Sequence, residues 1–147
     1  MPARSVISLL ALLLGAGAGS AMAQRSDSLP PVIATAFHAA YPNATILNVS
    51  REPQDGKIVY EIESRDGSMR RDLLYALDGQ VIEIEEMLPA DSVPAAVRAA
   101  LERDVKGATL VSAERVTRGD VVLYEVQARR NGRTQALTYD PAGVRKE

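Results

Sequence analysis

Asp55-Gly56-Lys57-Ile58-Val59-Tyr60-Glu61-Ile62-Glu63-Ser64-Arg65-Asp66-Gly67 reads as one β-strand held between two tight turns. The flanking Asp-Gly pairs supply residues that accept positive φ, which two-residue hairpin turns require. Between them apolar and polar residues alternate, so Ile58, Tyr60 and Ile62 share one face while Val59, Glu61, Glu63 and Arg65 share the other. A strand closed by hairpin turns at both ends has an antiparallel neighbour on each side. These neighbours are predicted over 45–52 and 68–77, and Asp78-Gly79 leads into a further strand over 80–87.

The same reading recurs 64 residues later. In one gap-free register Ser28 falls on Ser92, Pro30 on Pro94, Ala44-Thr45 on Ala108-Thr109, Tyr60-Glu61 on Tyr124-Glu125, Leu73 on Leu137, Tyr75 on Tyr139 and Gly79 on Gly143. A register kept over a whole unit is the mark of an internal repeat. The second copy predicts strands over 109–117, 121–129 and 133–140, with a short remnant over 144–147.

Each copy opens with a helix signal: Ser28 or Ser92 as the expected cap, then proline near the first helical position. Ile33, Ala36, Phe37 and Ala40 recur at helical spacing in the first copy, and Val97, Ala100 and Leu101 in the second. Pro42-Asn43 and Lys106-Gly107 stop the helices. Each unit is therefore α+β, one helix packed on a four-stranded antiparallel meander.

Alternation also assigns the sheet faces. Ile58, Tyr60, Ile62, Leu73, Tyr75 and Leu77, repeated as Val122, Tyr124, Val126, Leu137 and Tyr139, are expected under the helices, with Tyr60 and Tyr124 as equivalent core residues. The helix-free face then receives Val59, Glu61, Glu63, Arg65, Arg70, Asp72, Leu74, Leu123, Glu125, Gln127 and Arg129. A face that mixes apolar and charged groups in this way is a candidate docking surface.

Residues 1–23 have the three parts of a secretory signal: Arg4, an apolar run from Val6 to Leu14, and the exit Ala21-Met22-Ala23. Cleavage is expected between Ala23 and Gln24, giving a periplasmic or secreted product with no stable membrane insertion, since the run falls short of the roughly 20 residues that span a bilayer. The chain has no cysteine, no tryptophan and one phenylalanine, Phe37. Disulfides and thiol chemistry are thereby excluded. With so few large side chains, two repeats of about 60 residues are each marginal alone. They are expected to join into one eight-stranded sheet, residues 24–88 forming repeat 1 and 89–147 repeat 2.

Repeat 1 carries six basic and eleven acidic residues, repeat 2 ten and eight. Neither has the clustered Lys and Arg of a nucleic-acid binder, so no nucleic-acid partner is expected.

The string Leu29-Pro30, an apolar helix, Tyr41-Pro42-Asn43-Ala44, then Asp55-Gly56-Lys57-Ile58-Val59-Tyr60-Glu61-Ile62 and the closing Asp78-Gly79-Gln80-Val81-Ile82 resembles the exported PepSY-like domains, which are similar to β-lactamase inhibitor proteins. The resemblance covers nearly the whole mature chain, twice. It implies tandem copies whose sheets join into one curved surface, and a helix-free concave side that grips a protein, with inhibition among the uses.

No residue set points to catalysis. The single histidine, His38, falls on the solvent side of the first helix, and no cysteine or second histidine accompanies it for a triad or a transition-metal site. Glu61 with Glu63, and Glu83 with Glu85, lie about 7 Å apart on common strand faces, a spacing that any charged strand produces. Glu83, Glu85 and Glu86 lack the looped spacing that wraps calcium, and read as a solvated strand end. The glycines fit turns and helix ends, leaving no phosphate-binding loop. No catalytic residue, metal ligand or cofactor is assigned. The sequence predicts a non-enzymatic exported module that docks a protein or peptide of the cell envelope on its helix-free face. A sensor of a small ligand or cation, using the acidic first repeat, is the alternative.

Overall fold

A computed structural model describes residues 28–146. The predicted signal segment and its cleavage point lie outside the described residues. Helix α1 spans Pro31–Ala40 and strands β1 to β4 span Thr45–Gln54, Lys57–Asp66, Met69–Ala76 and Val81–Leu88. After a 3-10 turn at Ala90–Ser92, α2 spans Ala95–Asp104 and β5 to β8 span Thr109–Arg118, Val121–Arg130, Arg133–Tyr139 and Arg145–Lys146. All eight strands form one antiparallel sheet in chain order. The expected strands and the joined sheet are both present.

The hairpins follow from turn chemistry. Asp55 and Gly56, and Asn131 and Gly132, all take positive φ, the requirement of the turn that matches strand twist. Equivalent bulges interrupt β1 and β5, skipping Leu47 and Val111, whose exposed side chains lie 64 residues apart. The duplication thus reaches irregular details of the backbone as well as the strands.

Helix starts differ from expectation. Pro30 and Pro94 occupy the N-cap positions with no side-chain cap, and Ser92 lies in the 3-10 turn. The fixed φ of proline suits a helix entrance, and the Pro30 and Pro94 carbonyls accept the first intrahelical bonds, from Ala34 N–H and Arg98 N–H. The serine two residues upstream is too early to cap.

Each helix covers its own core on the same side of the sheet. Ile33 and Phe37 pack on Ile62, Leu73 and Tyr75 in repeat 1, while Val97, Ala100 and Leu101 pack with Val126, Leu137 and Tyr139 in repeat 2. The buried tyrosines are Tyr75 and Tyr139, with no exposed surface, and not Tyr60 and Tyr124. Tyr60 faces Tyr75, and Tyr124 faces Tyr139, across a strand pair. All four are on the helix side, but Tyr60 and Tyr124 stay half-buried beside the cores. Leu77, expected in the core, leaves β3 into the turn and is exposed, as is Ala40 at the end of α1.

Gly79 and Gly143 are the contact points between turn and helix. A Cβ on Gly143 would lie 2.5 Å from the Ala96 carbonyl oxygen, and one on Gly79 would lie 3.0 Å from Val32 Cγ2. Gly107 has a similar φ of +74° but open space around it. Gly107→Ala should therefore cost about 1 kcal/mol from φ strain alone. Gly143→Ala, which must also move backbone, should cost at least twice that in urea unfolding.

Candidate functional site

The helix-free side of the sheet is set by cross-strand register. Across it run Asn48, Glu63, Asp72, Glu85, Val116 and Leu123 as one row of facing residues from β1 to β6. Next to it run Ser50, Glu61, Leu74 and Glu83. Of the residues the sequence placed here, the register brings Val59, Glu61, Glu63, Asp72, Leu74, Leu123, Glu125 and Gln127 together on this side, while Arg65, Arg70 and Arg129 stand exposed towards its rim. It adds Glu83, Glu85, Glu114, Val116 and Arg118 from β4 and β5.

Val59, Val116 and Glu83 are each at least nine-tenths buried, although no helix covers this side. Only side chains of neighbouring strands shield them, as on the inner side of a curved sheet. Glu83 bonds Arg118 from β5. The acidic run 83–86 is thus no solvated strand end: Glu83 and Glu85 point to this side, whereas Glu86 points to the helix side and binds Arg71 and Arg115. The three carboxylates cannot converge on one cation.

Carboxylates face one another three times, as Glu63 with Asp72, Asp72 with Glu85, and Glu114 with Glu125. Directly opposed like charges destabilise a strand pair. Burial raises the pKa of Glu61, Asp72, Glu85, Glu114 and Glu125, with neighbouring carboxylates adding to it at all but Glu125, where Arg118 works against the rise. Asp72 is pushed up to about 6 and Glu85 to about 7. None of these five makes an ion pair among the described residues. Glu61 accepts a hydrogen bond from Ser50 Oγ at 3.0 Å, and Asn48 Nδ2 donates to Glu63 at 3.0 Å. A cavity of about 80 Å³ opens among Glu61, Asp72, Leu74, Glu83 and Glu85. Small-molecule sites run to roughly 300 Å³ or more, so this hollow is a dimple in a broad surface.

The sequence matches the family described as "Putative beta-lactamase-inhibitor-like, PepSY-like" over residues 21–83 and again over 78–145. The chain belongs to the PepSY-like family. Solved structures share the PepSY-like fold over 82% of this chain. A "putative periplasmic" protein from Bacteroides eggerthii superposes with a TM-score of 0.69 at 16% identity over 87% of its own length. A BLIP-like protein from Bacteroides fragilis gives 0.64 at 19% identity over 86% of its length. At such identities the likeness establishes the PepSY-like fold alone. No curated protein matches the sequence.

The raised carboxylates fix the sign of a pH effect. Folded Asp72 and Glu85 hold protons more tightly than they do in the unfolded chain, so stability should rise as pH falls from about 8 and level off near the unfolded values of about 4. Glu86 behaves oppositely: burial disfavours its charge, but hydrogen bonds from Arg115 and Arg71 outweigh that and hold it low, so its contribution is lost as pH falls through its folded value. Glu85→Gln should raise stability at pH 8 by about 1 kcal/mol after solvent screening, roughly 4 °C in Tm, and the gain should vanish by pH 5. A thermal melt at both pH values checks this.

Proposed function

We propose that this PepSY-like chain is an exported, non-catalytic binding module that docks a protein or peptide on its helix-free sheet face. The observation that carries this reading is the set of half-buried carboxylates Glu61, Asp72, Glu85, Glu114 and Glu125, without ion-pair partners among the described residues and set among Val59, Leu74, Val116 and Leu123 on the side no helix covers. Like-charge opposition there costs stability, and such local conflicts concentrate where a surface is kept for binding. The Bacteroides neighbour described as BLIP-like supports a role in gripping proteins, inhibition included, and the one described as periplasmic supports the envelope as its place of action.

The test is recovery of partners from a periplasmic or secreted fraction, with Glu61, Arg65, Glu125 and Arg129 reversed in charge as the control. Loss of partners with an unchanged melting curve supports the reading. Equal recovery by the reversed protein overturns it. A small-ligand or cation sensor is the second reading, favoured by the acidic balance of repeat 1. The shallow cavity and the divergence of Glu86 from Glu83 and Glu85 weigh against it.

A further inference from the structure

We propose that the segment docked on the helix-free face is an extended, cationic one, whose lysine or arginine side chains enter the row of Asp72 and Glu85 while its apolar residues lie on Leu74, Val116 and Leu123. This rests on the docking role proposed above and names the chemistry of the occupant. Three observations on this face carry it.

The first is a charge imbalance that the chain does not correct. Of the cations on this face, Arg118 and Arg70 are engaged with Glu83 and, at 4.0 Å, with Glu63, while Arg65 and Arg129 stand exposed at its rim, away from the row of Asp72 and Glu85. Glu61, Asp72, Glu85, Glu114 and Glu125 are left without an ion pair among the described residues, each half-buried and facing or adjoining another carboxylate. Charge held this way, partly out of water and unneutralised, interacts more strongly with an incoming cation than an open surface would. The second is spacing. Facing positions on successive strands place Asp72 beside Glu85, then Val116 beside Leu123, in one row across the sheet. An extended peptide presents alternate side chains to a surface beneath it, so charged and apolar groups can be matched in turn. The third is breadth. The hollow of about 80 Å³ is too small to enclose a metabolite, and among the described residues no group of carboxylates is placed to hold a metal ion. A chain laid across the face uses what a small ligand cannot.

The charged groups that surround Asp72 and Glu85 are Glu52 on β1, Glu61 and Glu63 on β2, Arg70 on β3, Glu83 on β4, Glu114 and Arg118 on β5, and Glu125 on β6. Carboxylates outnumber cations among them, and both cations already have partners. Capture of a cationic segment should weaken as pH falls from 8 towards 5, when these carboxylates take up protons.

The probe is the ten-residue peptide Ser-Lys-Ser-Lys-Ser-Val-Ser-Val-Ser-Lys, which when extended presents its lysines and valines to one side, with the same peptide carrying glutamate for lysine as its opposite, measured by calorimetry against residues 24–147 at pH 8 and pH 5. The lysine peptide should bind, the glutamate peptide should not, and lowering the pH should weaken binding at least tenfold. Asp72→Asn with Glu85→Gln should also weaken it at least tenfold. Asp66→Asn with Asp120→Asn, which removes the same charge from an exposed strand end and an exposed turn, should change it less than twofold. Equal loss in both double variants would reduce the effect to net charge and overturn the proposal. So would self-association through this face, seen in sedimentation and displaced by the probe, because the occupant would then be a second copy offering basic residues such as Arg130, Arg133 and Arg145. If envelope partners are captured through the face but the lysine peptide does not bind, the docking role stands and the cationic occupant falls.

Discussion

Expressed apart, residues 24–90 and 91–147 are expected to be unfolded or to associate, while 24–147 melts in a single transition. The two cores are separate clusters, and that of repeat 1 has only Ile33, Phe37, Ile62, Leu73 and Tyr75 fully buried. Too little apolar surface is removed from water there to leave much margin once conformational entropy is counted. What joins the halves is the β4 and β5 ladder, where Ile84 to Leu88 pair with Thr117 to Ala113. Leu88 belongs to repeat 1 by sequence but packs on the core of repeat 2. Cutting the chain exposes both edges of that ladder and removes Leu88 from its core. Circular dichroism melts of the three chains decide the matter. Two stable halves whose curves add up to that of the whole would contradict the continuous sheet.

Glu86→Ala should be the most damaging single charge change, costing about 3 kcal/mol or more in denaturant unfolding. Glu86 is half-buried on the helix side, its side chain 13% exposed, where Arg71 Nε donates to it at 2.9 Å from β3 and Arg115 binds it from β5, tying the two repeats together. Arg71 also lies 5.0 Å from the centre of the Tyr41 ring, and its Nη1 already lacks a partner. Removing Glu86 strands two cations, one of them largely desolvated. Arg115→Gln, at the more exposed end of the triad, should cost only about 1 kcal/mol. Equal and small losses in both variants would show that the triad does not fasten the junction.

Turn chemistry and two-residue alternation made the strands readable almost to their ends, because Asp55-Gly56 and Asn131-Gly132 fix hairpins locally. The same alternation put Glu61, Asp72 and Leu74 on the helix-free side. It could not choose between Tyr60 and Tyr75, which share the helix side and face each other; only the line along which α1 lies over the sheet buries Tyr75. Nor could it bring Glu85 beside Asp72 or Glu114 beside Glu125. The first contact depends on a register shift between Leu74 and Tyr75, the second on the two-residue turn that pairs Arg118 with Val121, and the two are brought side by side by the pairing of one repeat with the other. The acidic centre of the candidate site is a tertiary property, and the local signal that pointed towards it was the alternation of Glu83 and Glu85 along β4.

Glu85 and Glu86 are consecutive in one strand yet lie on opposite faces, so their titration tests the account most directly. Carboxyl-detected NMR on residues 24–147 should find Glu85 titrating at about 7, raised by burial and then by Glu114, Glu125, Asp72 and Glu61, while Glu86 titrates below the usual range. Two similar, ordinary titrations would mean that β4 does not separate an unpaired acidic docking face from a neutralised junction, and the proposed binding surface would fall with it.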